Sequence, residues 1–143
     1  MTEADHRAAW REQKSLNAAH QADELRRRQA RESDQARELL RGFVAAAQAA
    51  GLPQVPLVAR SCNGTGKYKT ALTGWYLKSN QTLAVDSEAR FYVLAVHGSF
   101  LARFTGATVH PSDPPLVLGA GGRDGESIDL VEAIDRILHP EKY

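Results

Sequence analysis

The stretch from Lys69 to Val96, KTALTGWYLKSNQTLAVDSEARFYVLAV, constrains the fold more than any other part of the chain. It concentrates β-branched and aromatic residues, and polar turn clusters cut it into strand-length pieces. Tyr68 to Lys78 reads as one strand, with Thr73, Trp75 and Leu77 on one face and Leu72, Gly74 and Tyr76 on the other. Apolar groups on both faces place that strand in the middle of a sheet. Gly74 marks a bulge or a close approach by another backbone. Ser79 to Gln81 turns the chain, and Leu83 to Val85 and Phe91 to Val96 form a hairpin around DSEAR.

Shorter pieces flank this meander. Leu57 to Arg60 follows Pro53 and Pro56, and a proline at its start suits an edge strand. Phe100 to Phe104 and Ala107 to His110 read as one more strand, bent at Gly106, and Leu116 to Leu118 as a short one. Parallel crossovers need about a dozen residues or more, and the strand connections are shorter. The expected sheet is therefore mainly antiparallel, with about five to six strands.

Two amphipathic helices bracket it. From Gln35 to Ala50, the spacing of Leu39, Leu40, Phe43, Val44 and Ala47 makes one apolar face. Gly51 stands where a left-handed residue ends a helix, Leu52 can fold back on the last turn, and Pro53 blocks continuation. Ser33 and Asp34 interrupt the upstream pattern and can cap a new helix, which leaves one helix or two open over residues 3 to 50. Ser127 to Leu138 carries Ile128, Val131, Ile134 and Leu138 three or four apart, with Glu132 and Arg136 able to pair on the exposed side. Helix, strands, helix is the order of an α+β fold with an antiparallel sheet packed against an N-terminal and a C-terminal helix.

Residues 3 to 31 are helix formers with few large apolar side chains, namely Trp10, Leu16 and Leu25. A seam of Ala22, Leu25, Gln29, Glu32 and Ala36 has heptad spacing but two polar members. Such a segment needs something to pack on. The expected division is a protruding or loosely held helical arm, 1–32, mobile or bound to a partner, and a globular domain, 33–143.

Charge and cysteine content narrow the function. The 143 residues include 18 basic and 17 acidic side chains, a net charge of +1, so there is no global pull toward nucleic acid or anionic lipid. Cys62 stands alone, which excludes an intrachain disulfide and a thiolate zinc cage. MTEADHRAAW has no apolar core of a secretory signal, and no apolar run approaches a bilayer-spanning length. A cytoplasmic protein without membrane contact is expected.

Several constellations bear on chemistry. GAGGRDGES, 119–127, is a glycine-rich turn between a strand and a helix, a place where backbone N–H groups can meet a phosphate. Asp124 stands where the dinucleotide fingerprint needs its third glycine, and Asp124, Glu126 and Asp129 would repel an anion. The segment reads as a turn with acidic capping, or as a polar site of Arg123, Asp124 and Glu126, with His97 or His110 joining it. GTGK at 64–67 fails as a phosphate loop because Ser61 and Tyr68 occupy required positions. Cys62 has no neighbouring histidine in sequence to activate it, and His97-Gly98-Ser99 lacks the flanking glycines of a nucleophile elbow. The histidines at 6, 20, 97, 110 and 139 have no metal-ligand spacing. Arg26, Arg27, Arg28 and Arg31 can contact phosphates, but Asp23, Glu24, Glu32 and Asp34 crowd them. The aromatics Trp75, Tyr76, Phe91, Tyr92 and Phe104 suit core packing better than base stacking.

No catalytic residue, metal or cofactor is assigned. The expectation is a small, soluble, non-enzymatic binding protein whose arm docks on another protein or another copy through Trp10, Leu16, Leu25, Arg27 and Arg28. The alternatives are a ligand-binding domain or enzyme at the 119–127 loop, and a nucleic-acid accessory protein using Arg26 to Arg31 with Lys67 and Lys69.

Overall fold

A computed structural model describes residues 2–61, 66–96, 106–119 and 126–143. Helix α1 runs Glu3–Ala49. Its start is a reciprocal cap: the Asp5 N–H donates to Thr2 Oγ1 at 3.2 Å, and the Thr2 N–H donates to the Asp5 carboxylate at 3.0 Å. Its end matches the sequence. The Leu52 N–H reaches back to the Ala47 carbonyl at 2.9 Å and the Gly51 N–H to Gln48 at 3.1 Å, with Gly51 at φ 70°. No helix starts afresh at Ser33, because no proline or glycine interrupts residues 3–41 and Asp34 pairs instead with Arg37 on the helix surface, at 3.0 Å. The chain divides into two compact units, Met1–Glu32 and Ser33–Tyr143.

Within Ser33–Tyr143 lie β1 (Val55–Ser61), β2 (Lys67–Tyr76), β3 (Leu83–Asp86), β4 (Phe91–Val93), β5 (Ala95–Val96), β6 (Val117–Leu118), β7 (Ile128–Asp129) and α2 (Leu130–Leu138). A 3₁₀ turn, Pro140–Lys142, follows α2. The fold is α+β, with a mixed five-stranded sheet in the order β4-β3-β2-β1-β5 and a two-stranded β6-β7 pair.

The order of the large sheet has a geometric consequence. Its two outer strands, β4 and β5, are separated in sequence by Leu94 alone. The Leu94 N–H donates to the Thr82 carbonyl at 2.7 Å, and the Leu94 carbonyl accepts from the Arg60 N–H at 2.8 Å. One segment thus pairs antiparallel with β3 and, a residue later, parallel with β1, so the sheet curls until it closes on itself. The parallel β1–β5 pair corrects the expectation from connection length. The intervening strands themselves supply the crossover, and β1 is not a lone edge.

Closure turns one sheet face into an interior. Leu57, Ala84, Tyr92 and Leu94 are buried there, with Leu72, Tyr76 and Val109 packed against them. The register of β1 and β2 shifts at a bulge where Leu57 of β1 faces Thr70–Leu72 of β2. Polar groups released by that bulge find partners: the Val58 N–H donates to the Tyr76 hydroxyl at 3.0 Å, and the Thr70 hydroxyl donates to the Leu57 carbonyl at 2.6 Å.

The outer face carries Trp75, Leu77, Leu83, Val85 and Phe91, which pack with Ala36, Leu40, Phe43 and Ala47 of α1 and Leu130 and Ala133 of α2. Phe43 meets Trp75 edge to face at 5.9 Å, and the Trp75 indole N–H donates to the Leu52 carbonyl at 3.3 Å. β2 is central, as its two apolar faces require. Two boundaries differ from the sequence reading. Ile128 and Asp129 pair with β6 as a strand, so α2 starts at Leu130 with Asp129 before it. Ala107 to His110 is irregular, tied by the Ala107 N–H to the Lys69 carbonyl at 2.8 Å, and Phe100 to Phe104 lies outside the described residues.

At Gly74, β2 and β3 approach each other closely. A Cβ there would stand 2.1 Å from the Val85 carbonyl oxygen, a backbone atom that cannot swing aside. Gly74→Ala should destabilise the native state by about 3 kcal/mol through forced strand separation, measured as a shift in the urea midpoint. A loss under about 0.5 kcal/mol, the range of ordinary surface changes, would refute the close approach.

Candidate functional site

Within Ser33–Tyr143 a groove of about 760 Å³ lies between the end of β2 and α2. Its floor is apolar, built from Leu77, Ile128, Ala133 and Ile137, and its walls carry Lys78, Glu126, Glu132 and Arg136. The walls are braced. The Lys78 ammonium donates to the Glu126 carbonyl at 3.0 Å, and Arg136 donates to Glu132 at 2.9 Å one turn back along α2. Glu126 and Ser127 enter the groove because Ile128 and Asp129 pair with β6, which fixes the end of the glycine-rich segment beside Lys78. Gly119 sits there too, at φ 78°, where a Cβ would meet the Glu126 carbonyl oxygen at 2.6 Å.

Of the ligand set expected from sequence, Glu126 lines this groove. His110 is exposed elsewhere and does not line it. Arg123, Asp124, His97 and Cys62 lie outside the described residues. Lys78 and Arg136 were missed by sequence reasoning, which treated the first as a strand end and the second as half of a surface ion pair. The groove offers two cations and two carboxylates above a greasy floor. It can hold a ligand with an apolar body and polar ends. Among the described residues, no group of three or more His, Cys, Asp or Glu side chains converges as a metal site would require.

Asp86 is the buried carboxylate, and its surroundings define its role. One oxygen accepts the backbone N–H groups of Glu88 (3.0 Å) and Arg90 (2.9 Å), and the other accepts Arg90 Nε (2.7 Å) and the Tyr92 hydroxyl (2.9 Å). This closes the DSEAR turn, with Ala89 at φ 62°. Burial pushes the Asp86 pKa up, but the donors from Arg90, Tyr92 and Glu88 outweigh it and hold the pKa below the usual carboxylate value. Burial first, and then the bond to Asp86, raises the Tyr92 hydroxyl, which keeps it a donor. Every oxygen is committed to the turn, so Asp86 is structural.

In Met1–Glu32, Trp10, Leu16 and Leu25 are 63%, 59% and 51% exposed. At about 100° per residue, Trp10 and Leu25 lie about 60° apart around the helix and Leu16 lies opposite Leu25. The three do not form one stripe. Lys14 sits over the Trp10 ring at 4.9 Å. Arg27 pairs with Asp23 at 2.9 Å and Arg26 with the same carboxylate at 3.6 Å, while Arg28 is exposed. The arginine run is thus interleaved with acids in space as well as in sequence. Among the described residues, no helix is long and apolar enough to cross a membrane.

No protein-family model, curated protein or solved structure matches this chain. Its function therefore rests on the residues themselves.

The Asp86 turn predicts acid sensitivity of known sign. Its folded pKa lies below the unfolded value of about 4, so its contribution is complete above that value and drains away as pH falls through the folded one. Asp86→Ala strands the Tyr92 hydroxyl and should cost about 2–3 kcal/mol at neutral pH. Asp86→Asn should flatten the acid limb of stability against pH, and an unchanged limb in denaturant titrations would contradict this account.

Proposed function

We propose that this is a small non-enzymatic binding protein whose N-terminal helical arm docks on a partner protein or on another copy of the chain. One observation carries the reading: residues 3–32 form helix, capped at Thr2, yet bury no side chain, while three large apolar residues stand exposed on them. Exposed ion pairs at i,i+4 spacing add only about 0.3–0.5 kcal/mol each. Most helical stability in proteins comes from packing an apolar face. A helix this long with nothing packed on it gains its order by docking. The arm's seven basic and six acidic residues favour a protein over a polyanion as the partner.

The groove supports a second reading, a ligand-binding domain. Its volume falls in the range of small-molecule sites, roughly 300–1,000 Å³, and it combines an apolar floor with Lys78 and Arg136.

Removing residues 1–32 tests the first reading. Every buried residue of α1 lies at Ala36 or beyond, so the truncated chain should melt within a few degrees of the full one while losing its partner or its larger assembly mass. Unfolding on truncation would make the arm part of the core and refute docking as its role. For the second reading, Lys78→Ala with Arg136→Ala should abolish a melting shift produced by a metabolite panel. No shift with any member for the unaltered chain would count against the groove.

A further inference from the structure

We propose that the partner of the arm is a second copy of itself, paired antiparallel about a two-fold axis between Ser15 and Leu16. This rests on the reading of the arm as a docking element and specifies what it docks on. The observation is the order of charges along one face of α1, at positions alternately four and three residues apart: Glu3, Arg7, Trp10, Lys14, Asn17, Gln21, Glu24 and Arg28, of which Trp10 alone is apolar. At about 100° per residue these fall within about 100° of arc, on one face, and Leu25 falls within the same arc. All but the half-exposed Glu24 are exposed.

The charges of the seam are complementary to their own reverse. When residue i of one copy faces residue 31 minus i of the other, Glu3 meets Arg28, Arg7 meets Glu24, Trp10 meets Gln21 and Lys14 meets Asn17. Each layer with two charges pairs opposite signs. Glu3 and Arg7 already pair within one helix at 3.1 Å. Bringing Glu24 and Arg28 of a second copy beside them completes a four-charge network of alternating sign at each end of the pair. Between these networks each Trp10 ring, carrying its own Lys14 at 4.9 Å, lies across the methylene stem of Gln21. Leu25 flanks the seam beside Glu24, where the antiparallel partner brings up Ala4, so two of the three exposed apolar anchors are covered. The central Lys14 and Asn17 layers fix register, as polar residues at seam positions do. A parallel pair would set Glu3 on Glu3, Arg7 on Arg7, Glu24 on Glu24 and Arg28 on Arg28, so like charges select against it.

A seam this polar gives a weak dimer, sensitive to salt through its exposed charges. Sedimentation of the full chain at low ionic strength should show a concentration-dependent doubling of mass that reverts at high salt. Arg28→Glu should return the chain to monomer mass at all concentrations, and adding Glu3→Arg to that variant should restore the doubled mass. Trp10→Ala should weaken dimerisation, and helix content read by circular dichroism should fall in step with the dimer fraction. Monomer mass for the unaltered chain, a doubled mass that survives Arg28→Glu, or failure of Glu3→Arg to restore it would each overturn the pairing. Failure here is separable from failure of the docking reading. A monomer that still needs residues 1–32 to hold a different purified partner loses only the self-pairing, whereas a truncation without effect on any association removes both.

Discussion

Much of Ser33–Tyr143 depends on Leu94. This residue bonds through its N–H to the turn before β3 and through its carbonyl to β1, so it joins the two margins of the sheet. A flat five-stranded sheet would leave two long edges of unpaired backbone groups. Here the first and last strands are consecutive pieces of one segment, which satisfies those groups internally. Closure also divides the apolar residues into two populations. Leu57, Ala84, Tyr92 and Leu94 fill the inside, while Trp75, Val85 and Phe91 turn outward toward α1 and α2. Small residues at the tightest points make that curvature possible: Gly74 lets β3 approach, and Ala84, fully buried, takes little of the interior.

The outward population sets how much of α1 is needed for folding. Ala36, Leu40, Phe43, Val44 and Ala47 are buried, at four- and three-residue spacing, and that demand ends at Ala36. Upstream the helix continues through residues selected for helix propensity and charge rather than burial. Fully burying a Leu or Phe side chain is worth roughly 1.5–3 kcal/mol, and Trp10, Leu16 and Leu25 realise only part of that at their observed exposure. A stretch of this length, helical and capped at its start, takes no part in the core, and that is the observation on which the docking proposal rests.

Local chemistry made much of this legible in the sequence. Gly51, Leu52 and Pro53 specify the end of α1, DSEAR specifies the β3–β4 turn, and two apolar faces specify β2 as central, because each signal is contained within a few residues. Thr2 and Asp5 are an equally local signal for the start of α1. What was not legible is long-range. The rule that short connections forbid parallel pairing holds between neighbouring strands, but it does not foresee a sheet curling until its last strand meets its first. Ile128 looked helical because its spacing fits the stripe of α2, and pairing with Val117 and Leu118 overrode that pattern. The groove was hidden for the same reason. Lys78 and Arg136 are 58 positions apart, and only the packing of α2 on the outer face brings them to one opening.

The groove and the arm present different surfaces, and the charge pattern of each decides what kind of ligand it would suit. In the groove, Lys78 is tied to the Glu126 carbonyl and Arg136 to Glu132 above an apolar floor, so a ligand there would gain mainly from covering Leu77, Ile128 and Ile137, with the rim selecting polarity. In the arm, apolar area is scarce and the information lies in the order of signs along one face. A surface of that kind contributes more to selecting orientation and register than to affinity. Raising affinity would take apolar side chains at positions such as Asn17 and Gln21, at the risk of admitting other partners. The residues present keep that face polar and its charges ordered, which under the proposed pairing would favour specific and easily reversed association.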